Sequence, residues 1–154
     1  TRLTEVGRPP AVAILDIDHF KALNDRYGHR VGDQVLTEFA DRLRSSARSH
    51  DLIGRWGGEE FILIVSGAER SDVAARLEAV RKLIEERPFY CVDDDANDLY
   101  CDVTVTIGLT FHRAGEALEH ALTRADRALY RGKDKGRNQI VTIDSVTLSD
   151  DATL

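Results

Sequence analysis

The chain has 154 residues, of which 42% are hydrophobic and 31% charged, with a formal net charge of −6. This length and composition fit one globular domain with a sizeable core and exclude a disordered tail. No apolar run approaches the roughly 18 residues of a membrane span, no secretory leader is visible, and the acidic balance argues against a nucleic-acid surface.

"AVAILDID" (11–18) is an apolar run ending in two aspartates, which predicts a buried strand with acids at its carboxyl end. Phe20, Leu23 and Tyr27 then recur at helical spacing. A second helix is expected from near Asp33, carrying Val35, Leu36, Phe39, Ala40 and Leu43 on one face. "DLIGRW" and "EFILIV" predict a hairpin turning at Gly57 and Gly58. Val73, Leu77, Val80 and Ile84 mark a third helix that must stop before Pro88. "DVTVTIGLTF" (102–111) reads as a strand, Leu118, Ala121, Leu122, Ala125 and Leu129 as a fourth helix, and "NQIVTI" (138–143) as a closing strand. Residues 89–102 could add a hairpin. The order β-α-α-β-β-α-β-α-β predicts an α/β (α+β) domain with a mixed, mainly antiparallel sheet flanked by helices, close to the ferredoxin-like plan. The domain is expected over 11–143, between an N-terminal segment (1–10) and a tail (144–154). Cys91 and Cys101 make no disulfide framework and are expected as reduced thiols in a cytoplasmic setting.

The carboxylates carry the first functional signal. If the first strand and the 52–65 hairpin are neighbours, Asp16 lies near Glu59 and Glu60 at one sheet end. Carboxylates so placed repel unless a cation sits among them. Oxygen ligands without nearby histidine or cysteine suit Mg²⁺ or Mn²⁺, ions that commonly share coordination with phosphates. Taken alone, "GGEE" is a solvated turn; paired with "DID" it becomes a metal-binding edge.

A helix beginning just after Asp18 aims free N–H groups at the same edge, a seat for phosphate. Lys21 falls in its first turn, where a cation opposes the helix dipole. A polyphosphate ligand explains that placement, and a solvent-facing lysine explains it as well. "RGKDKGRN" (131–138) adds Lys133, Lys135 and Arg137 without forming a Walker A loop. Asn24 lies one helical turn beyond Lys21, and a carboxylate such as Asp33 that accepts both the N1–H and N2–H₂ donors would select guanine. On position alone, Asp33 reads first as a helix N-cap.

Four blocks in order, "DIDHFKALNDRYGHRVGD" (16–33), "RWGGEEF" (55–61), "VTVTIG" (103–108) and "ADRALYRGKDKGRN" (125–138), resemble the GGDEF diguanylate cyclases over roughly residues 11–143. The third signature position is Glu here, still a carboxylate. The resemblance implies a nucleotidyl cyclase palm and the condensation of two GTP into cyclic di-GMP with release of two pyrophosphates. It also implies a homodimer for catalysis and an upstream sensor or receiver domain in the full-length protein. Two divalent ions would be held by Asp16, Glu59, Glu60 and the Ile17 carbonyl. Glu60 would be a ligand or the base for the attacking hydroxyl, and Lys21 would act beside it. Phe20, Lys21, Asn24, His29, Asp33, Gly57, Gly58, Lys133 and Arg137 would contact the nucleotide.

"RSHD" (48–51) precedes the signature at the distance at which this family places an Arg-x-x-Asp product-inhibition site. Arg48 could pair with guanine O6 and N7, and Asp51 could accept from its N–H edge. A surface arginine and a turn aspartate are the plain reading. Arg76 or Arg81 could lend support. Trp56 is expected to pack rather than stack on a base. The Asp-x-Leu-Thr-Gly-Leu stretch usual before the first strand is reduced to a Leu-Thr echo, so the N-terminal segment is expected to be truncated. A non-catalytic receptor for cyclic di-GMP or GTP would predict damage at Asp16, Lys133, Arg137 or the signature, all of which are intact.

Overall fold

Residues 9–144 are described by the computed structural model; the expected segments 1–10 and 144–154 lie outside it except for residues 9, 10 and 144. Two strands, β1 (Ala11–Ile17) and β6 (Val105–Phe111), are buried along their full length. They pair antiparallel at the centre of a sheet ordered β2 (Leu52–Arg55), β3 (Glu60–Val65), β1, β6 and β7 (Ile140–Thr142). Every pairing is antiparallel except β6 with β7. The helices are α1 (Phe20–Tyr27), α2 (His29–Ser46), α3 (Arg70–Glu86) and α4 (Leu118–Asp134). The 89–102 segment forms its own two-stranded sheet, β4 (Phe89–Val92) with β5 (Asp98–Cys101). Mixed sheet and flanking helices match the fold expected from the sequence.

Strand parity divides the core. Ala11, Ala13, Leu15 and Ile17 of β1 join Phe39, Phe61 and Leu77 on the face covered by α2 and α3. Val12 and Ile14 point the other way, onto Ala121, Ala125 and Leu129 of α4. Asp16 shares the parity of Val12 and Ile14 and therefore opens toward α4. Arg42, buried on α2, donates to the carbonyls of Leu83, Arg87 and Pro88 at 3.2, 2.8 and 3.0 Å and lies 3.8 Å from the Phe89 ring. It supplies the partners that the carboxyl end of α3 would otherwise lack.

Two expectations are corrected. Helix α2 starts at His29, behind Gly28 with φ of 91°, so Asp33 lies a turn inside it and is not an N-cap. The 102–111 strand is shorter than expected, with 102–104 linking β5 to β6.

Close approach of α4 to β6 depends on Gly108. A Cβ there would stand 2.2 Å from the Ala125 carbonyl oxygen and 2.4 Å from the Leu129 nitrogen, both backbone atoms that cannot swing aside. Gly108→Ala is expected to destabilise the fold by about 3 kcal/mol, seen as a lower urea midpoint at unchanged slope.

Candidate active site

Antiparallel pairing of β1 with β3 sets Asp16 directly opposite Glu60. Beside them the Ile17 N–H donates to the Glu59 carbonyl at 3.3 Å, which brings Glu59 to the same strand end. Asp16 is only 3% exposed, and its carboxylate meets Lys133 Nζ at 2.6 Å. Lys133 reaches it from the last turn of α4, where a cation is favourable. One ammonium does not balance three carboxylates. Burial, and then the charge of Asp16, push the Glu59 pKa upward. Burial and the hydrogen bond and charge of Asp16 push Glu60 up to about 7, against the opposing pull of Lys133. Among the described residues no three His, Cys, Asp or Glu side chains already converge on one point. The arrangement is a facing pair, with Glu59 adjacent and an ammonium in the seat of a cation.

At the other side of the β2–β3 tip, a cleft of about 480 Å³ opens between α2 and the hairpin. Asp33 and Arg55 line it with the apolar side chains of Leu36, Ala40, Ile53 and Phe61. Asn24 lies against the next turn of α2: a Cβ on Gly32 would sit 1.7 Å from Asn24 Oδ1. That oxygen is buried and has no hydrogen-bond partner among the described residues. The turn between the two regions is unusual. Neither Gly57 nor Gly58 has positive φ, and a Cβ on Gly58 would meet nothing within 4 Å. The tight glycine turn expected from sequence is therefore not what keeps glycine here. Arg55 holds the turn instead, donating to the carbonyls of Gly57 and Gly58.

Residues 2–139 match the family described as diguanylate cyclase, GGDEF domain. The chain belongs to that family. It is 38% identical over 141 residues to the response regulator PleD of Caulobacter vibrioides, covering 91% of this chain and 30% of PleD. The chain thus spans about a third of that relative's length. Its fold is similar to the GGDEF domain of DgcB from Caulobacter crescentus solved in complex with c-di-GMP (TM-score 0.82, 36% identity, 92% of this chain and 81% of that one). It is also similar to the active GGEEF domain of a diguanylate cyclase from Vibrio cholerae (TM-score 0.80, 29% identity, 94% and 89%). Divalent metals are general in this family, and no helix among the described residues is long and apolar enough to cross a membrane.

Within this GGDEF domain the remaining candidate residues divide clearly. Lys21 is in the first turn of α1 and exposed, and His29 is exposed at the start of α2. Phe20 is buried with its ring in the core, so only its main chain is available to a ligand. Arg137 is exposed in the loop after α4. Arg48 is exposed too, but Asp51 is closed off: its side chain is 2% exposed, paired with Arg76 and accepting from the Arg48 N–H at 2.9 Å. The pair does not present two open side chains. Arg81 takes no part there and binds Glu78, Glu85 and Asn138. Trp56 is 54% exposed, contrary to its expected packing role.

The sequence reading missed Asp18. Its carboxylate accepts from Thr104 and Thr106 at 2.7 and 2.6 Å and from the Asn138 N–H at 3.0 Å, fastening β1 to β6 and to the loop after α4. The alternating threonines of "VTVT" were the available signal.

Glu60 gives the GGDEF domain a stability that depends on pH. Its folded pKa is raised, so between about pH 4.5 and 7 the folded state keeps a proton that the unfolded chain has released. This contribution is whole below the lower value and lost above the upper one. In metal-free buffer, the thermal midpoint of wild type is expected to fall across that window more steeply than that of Glu60→Gln.

Proposed function

We propose that two copies of this domain condense two GTP molecules into cyclic di-GMP, each holding one nucleotide at the end of β1 and β3. The observation that carries the reading is the facing of Asp16 and Glu60 with Glu59 adjacent, the pKa of each glutamate being raised. Carboxylates so placed are stabilised by a divalent cation. The donor set fits Mg²⁺ or Mn²⁺, being oxygen only, and Lys133 already shows that a positive charge is accommodated. Asp16, Glu59, Glu60 and the Ile17 carbonyl would hold the metal, two ions per site in the full reading. When bound it would lower the charge on the phosphates and favour departure of pyrophosphate.

The chain's own residues do the remaining work. The unpartnered Oδ1 of Asn24 accepts a guanine N–H, and Asp33 accepts a second from the mouth of the cleft. Adenine offers no such pair of donors. Because the fold does not require glycine at 57 and 58, the bare backbone there serves close passage of the nucleotide from cleft to carboxylates. Lys21, Lys133 and Arg137 hold phosphate oxygens, with His29 nearby. Where the metal leaves Glu60 unligated, its carboxylate is the group placed to accept the proton of the attacking 3′-hydroxyl. In each half-reaction that oxygen bonds to the α-phosphorus of the other GTP as the α–β anhydride breaks. Face-to-face pairing of two copies brings the reacting ends together, and a sensor or receiver domain in a longer protein would control the pairing. The Vibrio GGEEF domain described as active supports Glu in the third signature position.

Product would restrain the enzyme through Arg48, whose guanidinium is exposed, without a partner among the described residues, and suits guanine O6 and N7. Asp51 joins that contact only if Arg76 gives way.

Concentrated protein incubated with GTP and Mg²⁺ or Mn²⁺ is expected to yield cyclic di-GMP and pyrophosphate, resolved by chromatography. The Glu59→Ala, Glu60→Ala double variant should yield neither. Added cyclic di-GMP should slow the wild type and leave Arg48→Ala uninhibited. Failure to form product when two copies are joined by a fused dimeriser would overturn the cyclase reading.

A further inference from the structure

Two consecutive residues after α4, Arg137 and Asn138, have positive φ, 66° and 47°. Asparagine tolerates the left-handed region, whereas arginine gains nothing from it, so the surroundings must hold it there. The Asn138 N–H donates to Asp18 at 3.0 Å and to Thr106 Oγ1 at 3.1 Å. Its side chain is bound at both ends: Nδ2 donates to Glu85 at 2.6 Å and Oδ1 accepts from Arg81 at 2.9 Å. Arg81 is fixed in turn by Glu78 at 2.6 and 2.9 Å and by Glu85 at 3.1 Å, all on α3. The Arg137 N–H donates back to the Gly132 carbonyl at 2.9 Å. The Arg137 guanidinium, by contrast, has no protein partner among the described residues and faces solvent. A five-membered polar network thus anchors the neighbour of an arginine while the arginine's own charge is left uncommitted.

We propose that Arg81 and Asn138 are positioning residues that lock residue 137 in its left-handed conformation, so that its guanidinium is presented to the β- and γ-phosphates of the bound nucleotide. The proposal rests on the reading of Arg137 as a phosphate ligand. A guanidinium on a freely moving loop would lose side-chain and backbone freedom on each binding event, whereas here the fold has already restricted the backbone. Helix α3 acts at a distance from the nucleotide, through one asparagine.

The test compares Arg137→Ala, Arg81→Ala, Asn138→Gly and the Arg81→Ala, Arg137→Ala double variant. Asn138→Gly keeps the left-handed backbone accessible and leaves the Arg81–Glu78 contacts in place, so it guards against a general loss of folding in Arg81→Ala. Affinity is measured by calorimetry for α,β-methylene GTP and for GMP, each with Mg²⁺. Arg137→Ala should weaken the triphosphate about tenfold and GMP by less than about twofold. Arg81→Ala and Asn138→Gly should weaken the triphosphate by about three- to tenfold, again sparing GMP, and the double variant should be no weaker than Arg137→Ala alone. Wild-type triphosphate affinity in both Arg81→Ala and Asn138→Gly would overturn the proposal. Equal losses on GMP and triphosphate, or additive losses in the double variant, would overturn it as well, showing only a loosened fold. If Arg137→Ala itself binds the triphosphate as wild type does, the phosphate role of Arg137 falls first and the proposal with it.

Discussion

The register of β1 against β3 is the constraint from which the rest follows. It puts Asp16 across from Glu60, two carboxylates whose charges oppose each other where water is scarce. A one-residue slip would turn Asp16 toward the α2–α3 face and expel the apolar set of β1 from its core, so the register is fixed by the same residues that make the strand. The repulsion is built into the fold rather than into a movable loop. It is relieved in part by Lys133 and in part by the raised pKa of Glu60, about 7. A buried ion pair of this kind contributes little net stability against its desolvation cost. Its value lies in keeping open a seat for positive charge.

Other parts of the molecule serve that seat. Gly108 lets α4 lie close on β6, and the last turn of α4 thereby reaches Asp16 through Lys133. Asp18, just past the end of β1, is spent on structure: it accepts from Thr104 before β6, from Thr106 within it and from the N–H of Asn138. The two acids of "DID" look alike in sequence and differ entirely in role. One keeps a single lysine and an unmet need for charge, the other has every oxygen engaged. On the opposite side of the sheet, Gly32 makes room for the Asn24 amide, and the cleft beside it is apolar-walled with a carboxylate at Asp33.

The sheet, the four helices and the acidic strand end were legible because each depends on local pattern: period two in "AVAILDID", period near 3.6 from Val73 to Ile84, and paired carboxylates flanking a hairpin. The start of α2 was misplaced because Asp33 has the chemistry of a cap, while the break is made by the backbone of Gly28. The closing of Asp51 by Arg76, 25 residues away, was only half visible, since sequence offered two arginines and no way to choose between them. The anchoring of Asn138 by Arg81, 57 residues away, was invisible: such a contact is decided by how α3 lies beside the loop after α4, not by spacing. In sequence the glycines of the signature look like a tight turn, yet they need no special backbone angle, and their openness becomes meaningful only beside the carboxylates and the cleft.

Binding of Mn²⁺ followed by electron paramagnetic resonance, in the presence of α,β-methylene GTP, addresses the strand-end cluster most directly. Wild type should deplete the signal of free Mn²⁺, and Asp16→Asn should leave it near that of buffer with nucleotide alone. Equal depletion by wild type and Asp16→Asn would contradict the assignment of this sheet end as the cation seat.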